Sequence, residues 1–149
     1  MKRPEKIIIK GYSGFCISEE AYEDQLIITP ESVEYELKTQ EESWLEPKSW
    51  KYTSKSKAFS VLYQGLASAA ASIVESEFCV DVLDAPQVEM KLHFSDSSTL
   101  SKNIAEYIPG METLVMLIGY LVPSVEEMPK SAAVLKENCE WKLADRPEE

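Results

Sequence analysis

Leu26-Ile27-Ile28-Thr29-Pro30-Glu31-Ser32-Val33-Glu34-Tyr35-Glu36-Leu37 decides the fold. Two apolar runs flank Thr29-Pro30-Glu31-Ser32, and Pro30 presets the backbone for the first central position of a type I turn. Beyond the turn, Val33, Tyr35 and Leu37 alternate with Glu34 and Glu36. That period of two places the apolar side chains on one face and the carboxylates on the other. The segment predicts an antiparallel hairpin in a sheet with one packed face and one wet face.

Working outward, Ile7-Ile8-Ile9 and the residues up to Ile17 read as extended. Gly11 and Gly14 interrupt that run, as at a bulge or a close backbone approach. Ser18 to Gln25 reads as a polar, acidic turn. On the other side, residues 38–49 are polar, contain Pro47 and read as a loop. Trp50-Lys51-Tyr52 is a further strand with both aromatics on one face. Later, Val88, Met90, Leu92 and Phe94 alternate with Glu89, Lys91 and His93, which is a second clear strand pattern. Asp96-Ser97-Ser98 is a turn. Thr99 to Ile108 fits either a helix or a strand, and a strand is favoured because the preceding one would otherwise lack a partner for its backbone groups.

Two stretches carry the helical period. Phe59, Leu62, Tyr63, Leu66, Ala69, Ala70, Ile73 and Val74 recur at three- and four-residue spacing and predict a helix over Ser56–Ser76. Ser54 or Ser56 is placed to cap it. Met111, Leu114, Val115, Ile118, Leu121 and Val122 predict a second over Pro109–Val122, stopped by Pro123 and Pro129. Ala132 to Leu143 is left open between strand and helix. The order strands, helix, hairpin, helix predicts a single α+β domain over residues 1–149, with a frayed tail at about 144–149. Its sheet is expected to be mainly antiparallel, with two helices packed on one face.

Composition restricts the function. The 149 residues carry a net charge of −11, and 44% of them are hydrophobic, which suits one continuous core. Residues 1–74 hold nine basic and eleven acidic side chains, whereas residues 75–149 hold six and fifteen. Such a chain repels a phosphate backbone and an anionic bilayer, so neither nucleic acid nor membrane is expected as a partner. An acidic surface instead suits a basic protein partner and speeds its association. Met1 to Lys10 lacks the apolar stretch of a secretory signal. The longest apolar run, Leu114–Val122, falls short of the roughly 20 residues that a membrane span needs. A cytoplasmic chain is expected. Cys16, Cys79 and Cys139 are widely spaced, with no C-x-x-C pair, and are expected to remain reduced and to pack as small hydrophobes.

Lys10-Gly11-Tyr12-Ser13-Gly14-Phe15-Cys16, the hairpin Leu26 to Leu37 and Trp50-Lys51-Tyr52 before a helix resemble a group of small bacterial domains with no assigned activity. Glu77-Phe78-Cys79-Val80-Asp81 and the strand ending Phe94-Ser95-Asp96 resemble the same group, and the likeness covers most of residues 7–122. It implies a fold layout and a bacterial cytoplasmic origin. The layout is also similar to emfourin-type protease inhibitors, in architecture alone.

No catalytic constellation is legible, and no cofactor or metal is expected. His93 is the only histidine, whereas a zinc site wants about four ligands with local pairs. Glu19, Glu20, Glu23 and Asp24 form the densest acidic cluster, but they lack the alternation and central glycine of a calcium loop and read as a solvated turn. Gly11 and Gly14 are not followed by the Lys-Ser or Lys-Thr of a phosphate loop. The aromatics point elsewhere. Trp44 lies in a polar loop among Glu41, Glu42 and Glu46, where no core periodicity explains it. Tryptophan and tyrosine are enriched among binding hot spots. Trp44, Glu42, Glu46, Trp50 and Tyr52 are the expected binding residues of a non-enzymatic interaction module, such as an inhibitor, an immunity-like partner or an adaptor. The alternative is a small-molecule site or an enzyme, with a pocket between sheet and helices around Trp50, Tyr52 and His93.

Overall fold

The computed structural model describes residues 4–13, 21–39, 44–76, 87–104 and 107–144. Within them the chain forms β1 (Pro4–Tyr12), β2 (Tyr22–Thr29), β3 (Ser32–Thr39), β4 (Lys48–Thr53), α1 (Lys57–Val74), β5 (Gln87–Phe94), β6 (Thr99–Ile104), α2 (Met111–Leu121) and α3 (Lys130–Ala144). The strands make one sheet in the order β4-β3-β2-β1-β5-β6. Every neighbouring pair is antiparallel.

Alternation sets which face is buried. Ile9 stands opposite Leu26 on one side and Met90 on the other, and Leu26 stands opposite Tyr35. Ile7, Ile28, Val33 and Leu92 form the parallel row. All eight are buried. On the opposite face Lys10 faces Glu89, Glu23 faces Lys38 and Glu34 faces Lys51 across the strands. These opposite-charge neighbours suit a sheet face left in water.

The helices cover the apolar face. α1 lies over β1, β5 and β6, α3 lies over β1, β2 and β5, and α2 packs on α1 and α3. α1 begins where Ser56 Oγ accepts the Phe59 N–H at 3.1 Å, and its inward side is Tyr63, Leu66, Ala67, Ala70 and Ile73. The Tyr63 hydroxyl donates to the Pro4 carbonyl at 2.8 Å, tying this helix to the start of β1. α2 starts at Gly110, whose φ of 95° is the left-handed region that favours glycine. Met111, Leu114, Ile118 and Leu121 turn inward from it.

The α+β class and the mainly antiparallel sheet are as the sequence predicts. Thr29 pairs with Ser32 across Pro30-Glu31, so the hairpin turns where proline placed it. The ambiguous stretch after Ser98 is strand β6 as far as Ile104. Three expectations change, the first being that β3 takes Lys38 and Thr39, and β4 takes Lys48 and Ser49, from the expected loop over 38–49. Tyr22 to Gln25 is the first half of β2 and not a turn, because it pairs with both β1 and β3. A third helix, α3, joins the two foreseen and resolves the open stretch after Ala132. Cys16, Cys79, Gly14, Glu19, Glu20 and the tail after 144 lie outside the described residues.

Ser56→Ala removes the side-chain acceptor of the Phe59 N–H at the start of α1. It is expected to lower unfolding free energy by about 1 kcal/mol, with the denaturant dependence unchanged. Urea titration followed by circular dichroism checks this, and an unchanged midpoint would refute the capping role.

Candidate functional site

β4 is an edge strand, and its period of two puts Trp50 and Tyr52 on the helix-facing side. Trp50 stands opposite Tyr35, and Tyr52 stands opposite Val33. The rings form a ladder. Tyr35 and Trp50 have centroids 5.6 Å apart, as do Trp50 and Tyr52, and both pairs are tilted. Tilted arrangements at this spacing are favourable for aromatic quadrupoles. Exposure rises outward along the ladder, from buried Tyr35 through half-buried Trp50 to Tyr52, which is 39% exposed.

The inner end of the ladder is anchored on a buried acid. Asp24 of β2 is 4% exposed. Its Oδ2 accepts the Tyr35 hydroxyl at 2.8 Å and the Ser131 N–H at 2.9 Å. The Lys130 N–H donates to the Tyr35 oxygen at 3.2 Å. Asp24 therefore acts as a cap for α3 from another element, where free N–H groups and the helix dipole favour an anion. Its other oxygen lies against Gly11 of β1. A Cβ at Gly11 would overlap Asp24 Oδ1 and come within 3.0 Å of Ser131 Cβ. Burial pushes the Asp24 carboxyl above the usual carboxylate range, and the Ser131 N–H and the Tyr35 hydroxyl pull it only part of the way back. Burial, then the charge of Asp24, pushes the Tyr35 hydroxyl upward as well.

The outer end meets the segment between α2 and α3. The Tyr52 hydroxyl donates to Glu126 Oε2 at 2.5 Å, and Lys48 Nζ lies 3.3 Å from Glu127 Oε2. The bond to Glu126 raises the Tyr52 hydroxyl above its ordinary value. A cavity of about 300 Å³ opens beside these groups, lined by Leu45, Glu46, Lys48, Glu127 and Met128 among others. Trp44 stands at this end of the sheet sequence with 71% of its surface exposed, and Val125 is also exposed.

Of the residues expected to bind, Glu46, Trp50 and Tyr52 gather at the β4 edge, and Trp44 lies two residues before Glu46. Glu42 lies outside the described residues. His93 does not join Trp50 and Tyr52. It alternates with buried Leu92 and Phe94 onto the open face, and β1, β2 and β3 lie between its strand and β4. Asp24 does not belong to a solvated acidic turn, because its side chain shares the buried face with Leu26 and Ile28. Sequence reasoning missed Tyr35, Glu126 and Glu127 as parts of this region. The glutamates carry no local signal, since they lie between Pro123 and Pro129, beyond the expected helix end at Val122. Among the described residues, no three His, Cys, Asp or Glu side chains converge as metal ligands would. No described helix is long and apolar enough to cross a membrane. Compared with known family models, curated proteins and solved structures, the chain has no significant match.

Gly11→Ala is expected to destabilise the fold by about 1–3 kcal/mol, because Asp24 or the start of α3 must move. Tyr35→Phe should cost about 1–3 kcal/mol, since Asp24 loses a donor and the Lys130 N–H loses its acceptor. The pH dependence has a definite sign. Asp24 binds its proton more tightly in the folded state, so its contribution is complete below about pH 4 and is lost as pH rises through the raised value. Stability relative to Asp24→Asn should therefore shift toward the variant as pH rises from about 4. Urea titrations across that range check it, and a shift toward the wild type would contradict the burial argument.

Proposed function

We propose that this chain is a non-enzymatic protein-interaction module that meets a basic partner at the β4 edge. The observation that carries the reading is Trp44, 71% exposed in a segment that also presents Glu46. Removing a large aromatic from water is worth roughly 1.5–3 kcal/mol, and here that gain is left for a partner to realise. Carboxylates supply the surroundings. Glu46 and Glu127 share the cavity at this edge, and Glu126 holds the Tyr52 hydroxyl beside it. An aromatic centre with a charged rim is the layout of a binding hot spot, in which the rim mainly sets the rate of encounter. The charge of −11 favours a basic partner over nucleic acid. An inhibitor, an immunity-like protein or an adaptor in the cytoplasm of a bacterium fits this chemistry. The separation of His93 from Trp50 and Tyr52 counts against the alternative of a shared small-molecule pocket.

The test is affinity capture from the source cell, followed by rate measurements with the protein recovered. Trp44→Ala should weaken capture at least about tenfold with the melting temperature unchanged, as expected for a hot-spot residue. Glu46→Lys should slow association most at low salt. Equal capture by wild type and Trp44→Ala would rule out this surface.

A further inference from the structure

The two edges of the sheet are protected unequally. β4 carries Lys48 and Lys51, and its outer residues are tied to Glu126 and Glu127. Charged side chains, lysine above all, discourage a strand edge from pairing with another chain. At the other edge, no described strand pairs with the outer side of β6. The Phe94 N–H donates to the Ser98 carbonyl at 3.0 Å, which fixes the ladder between β5 and β6. Alternation then turns the N–H and C=O groups of Thr99, Ser101 and Asn103 outward. None of these three side chains is charged, and no proline interrupts the strand.

Beside this edge runs a groove of about 1180 Å³ between α1 and β6. Val61 and Leu100 stand on its walls, 57% and 42% exposed. Ala67, Ala71 and Ser68 keep the α1 side shallow. The charges of α1 are also reversed with respect to its own dipole. Exposed Lys55 and Lys57 sit at the N-terminal end, and exposed Glu75 sits at the C-cap. An isolated helix prefers the opposite placement.

A single arrangement answers all three features. We infer that the α1–β6 edge binds a second copy of this chain, with β6 pairing antiparallel to its copy and the two α1 helices running antiparallel across the joint. One two-fold axis suffices, because α1 and β6 run side by side in the same direction. Tyr63, early in α1, bonds to Pro4, which is in register with Phe94 at the start of the β5–β6 turn. Lys102, late in β6, reaches the Ser76 carbonyl at 2.6 Å, just beyond the helix. In the pair, Lys55 and Lys57 of each copy face Glu75 of the other, so charges unfavourable in one chain become complementary in two. The choice of a copy over a foreign strand rests on that complementarity, since the groove offers only one charged residue, Glu75. A closed, isologous contact also leaves no further edge at β6.

Sedimentation velocity of the full chain over about 1–200 µM tests this, with a dimer of two 16.8 kDa chains expected in the upper range. Glu75→Lys should weaken the dimer about tenfold, as like charges then meet at two symmetric positions. Adding Lys55→Glu and Lys57→Glu to it should restore association. Ser101→Pro should abolish pairing while the circular dichroism spectrum stays unchanged, because its N–H faces outward. A monomer at every concentration overturns the inference. So does a dimer indifferent to both Glu75→Lys and Ser101→Pro, or one that the triple charge reversal fails to restore.

Discussion

The buried carboxylate of Asp24 is the constraint on which the other contacts depend. An ion taken out of water costs several kcal/mol unless donors replace the lost hydration. The donors come from Tyr35 on β3 and from the first turn of α3. The space comes from Gly11 on β1, where any side chain would collide with the acid. Three strands and a helix must therefore be in register together before Asp24 Oδ2 gains both of its donors. A one-residue slip of β2 would put Asp24 on the wet face and Glu23 or Gln25 in its place, and α3 would lose its cap. Hydrophobic packing alone does not discriminate so sharply, since Leu26 and Ile28 would accept many neighbours.

Much of this architecture is legible in the sequence, and the losses have physical causes. Val33, Tyr35 and Leu37 announce their face because one side of β3 is in water. Phe59 to Val74 and Met111 to Leu121 show helical periods because each buries a single stripe. α3 is harder to read. Its inward residues, Ala132, Val134 and Leu135, are crowded into its first part, and the charged remainder shows no stripe. In the sequence Asp24 reads as one of several acids beside Glu23. Its phase with Leu26 and Ile28 was the signal that set it apart. The region around β4 is legible only on one side. Trp44, Glu46, Trp50 and Tyr52 lie close in sequence, whereas Glu126 and Glu127 arrive from a segment more than seventy residues away.

The aromatic ladder joins these two kinds of information. At its inner end Tyr35 takes part in the buried network, and at its outer end Tyr52 meets solvent and an acid. Trp50 lies between them with its indole nitrogen buried and no hydrogen-bond acceptor among the described residues. The same row of rings that closes the core at the sheet edge thus presents a polarised surface outside it. Packing and recognition share residues here, so a change at Trp50 acts on both.

The strand order has a kinetic side. β1 to β4 form a meander in which each strand pairs with the next, and β5 with β6 forms a hairpin. Both pieces need only short loops to close. The seam between them, β1 against β5, joins Tyr12 to Gln87 and encloses β2, β3, β4 and α1. Loop-closure entropy falls mainly on that one pairing. The central and most buried pair of strands is thus the one that local contacts do least to bring together. The hydrophobic rows through Ile7 and Ile9 supply the attraction that offsets its entropy cost, so the loop-closure cost of this topology is concentrated in the middle of the sheet and not at its edges.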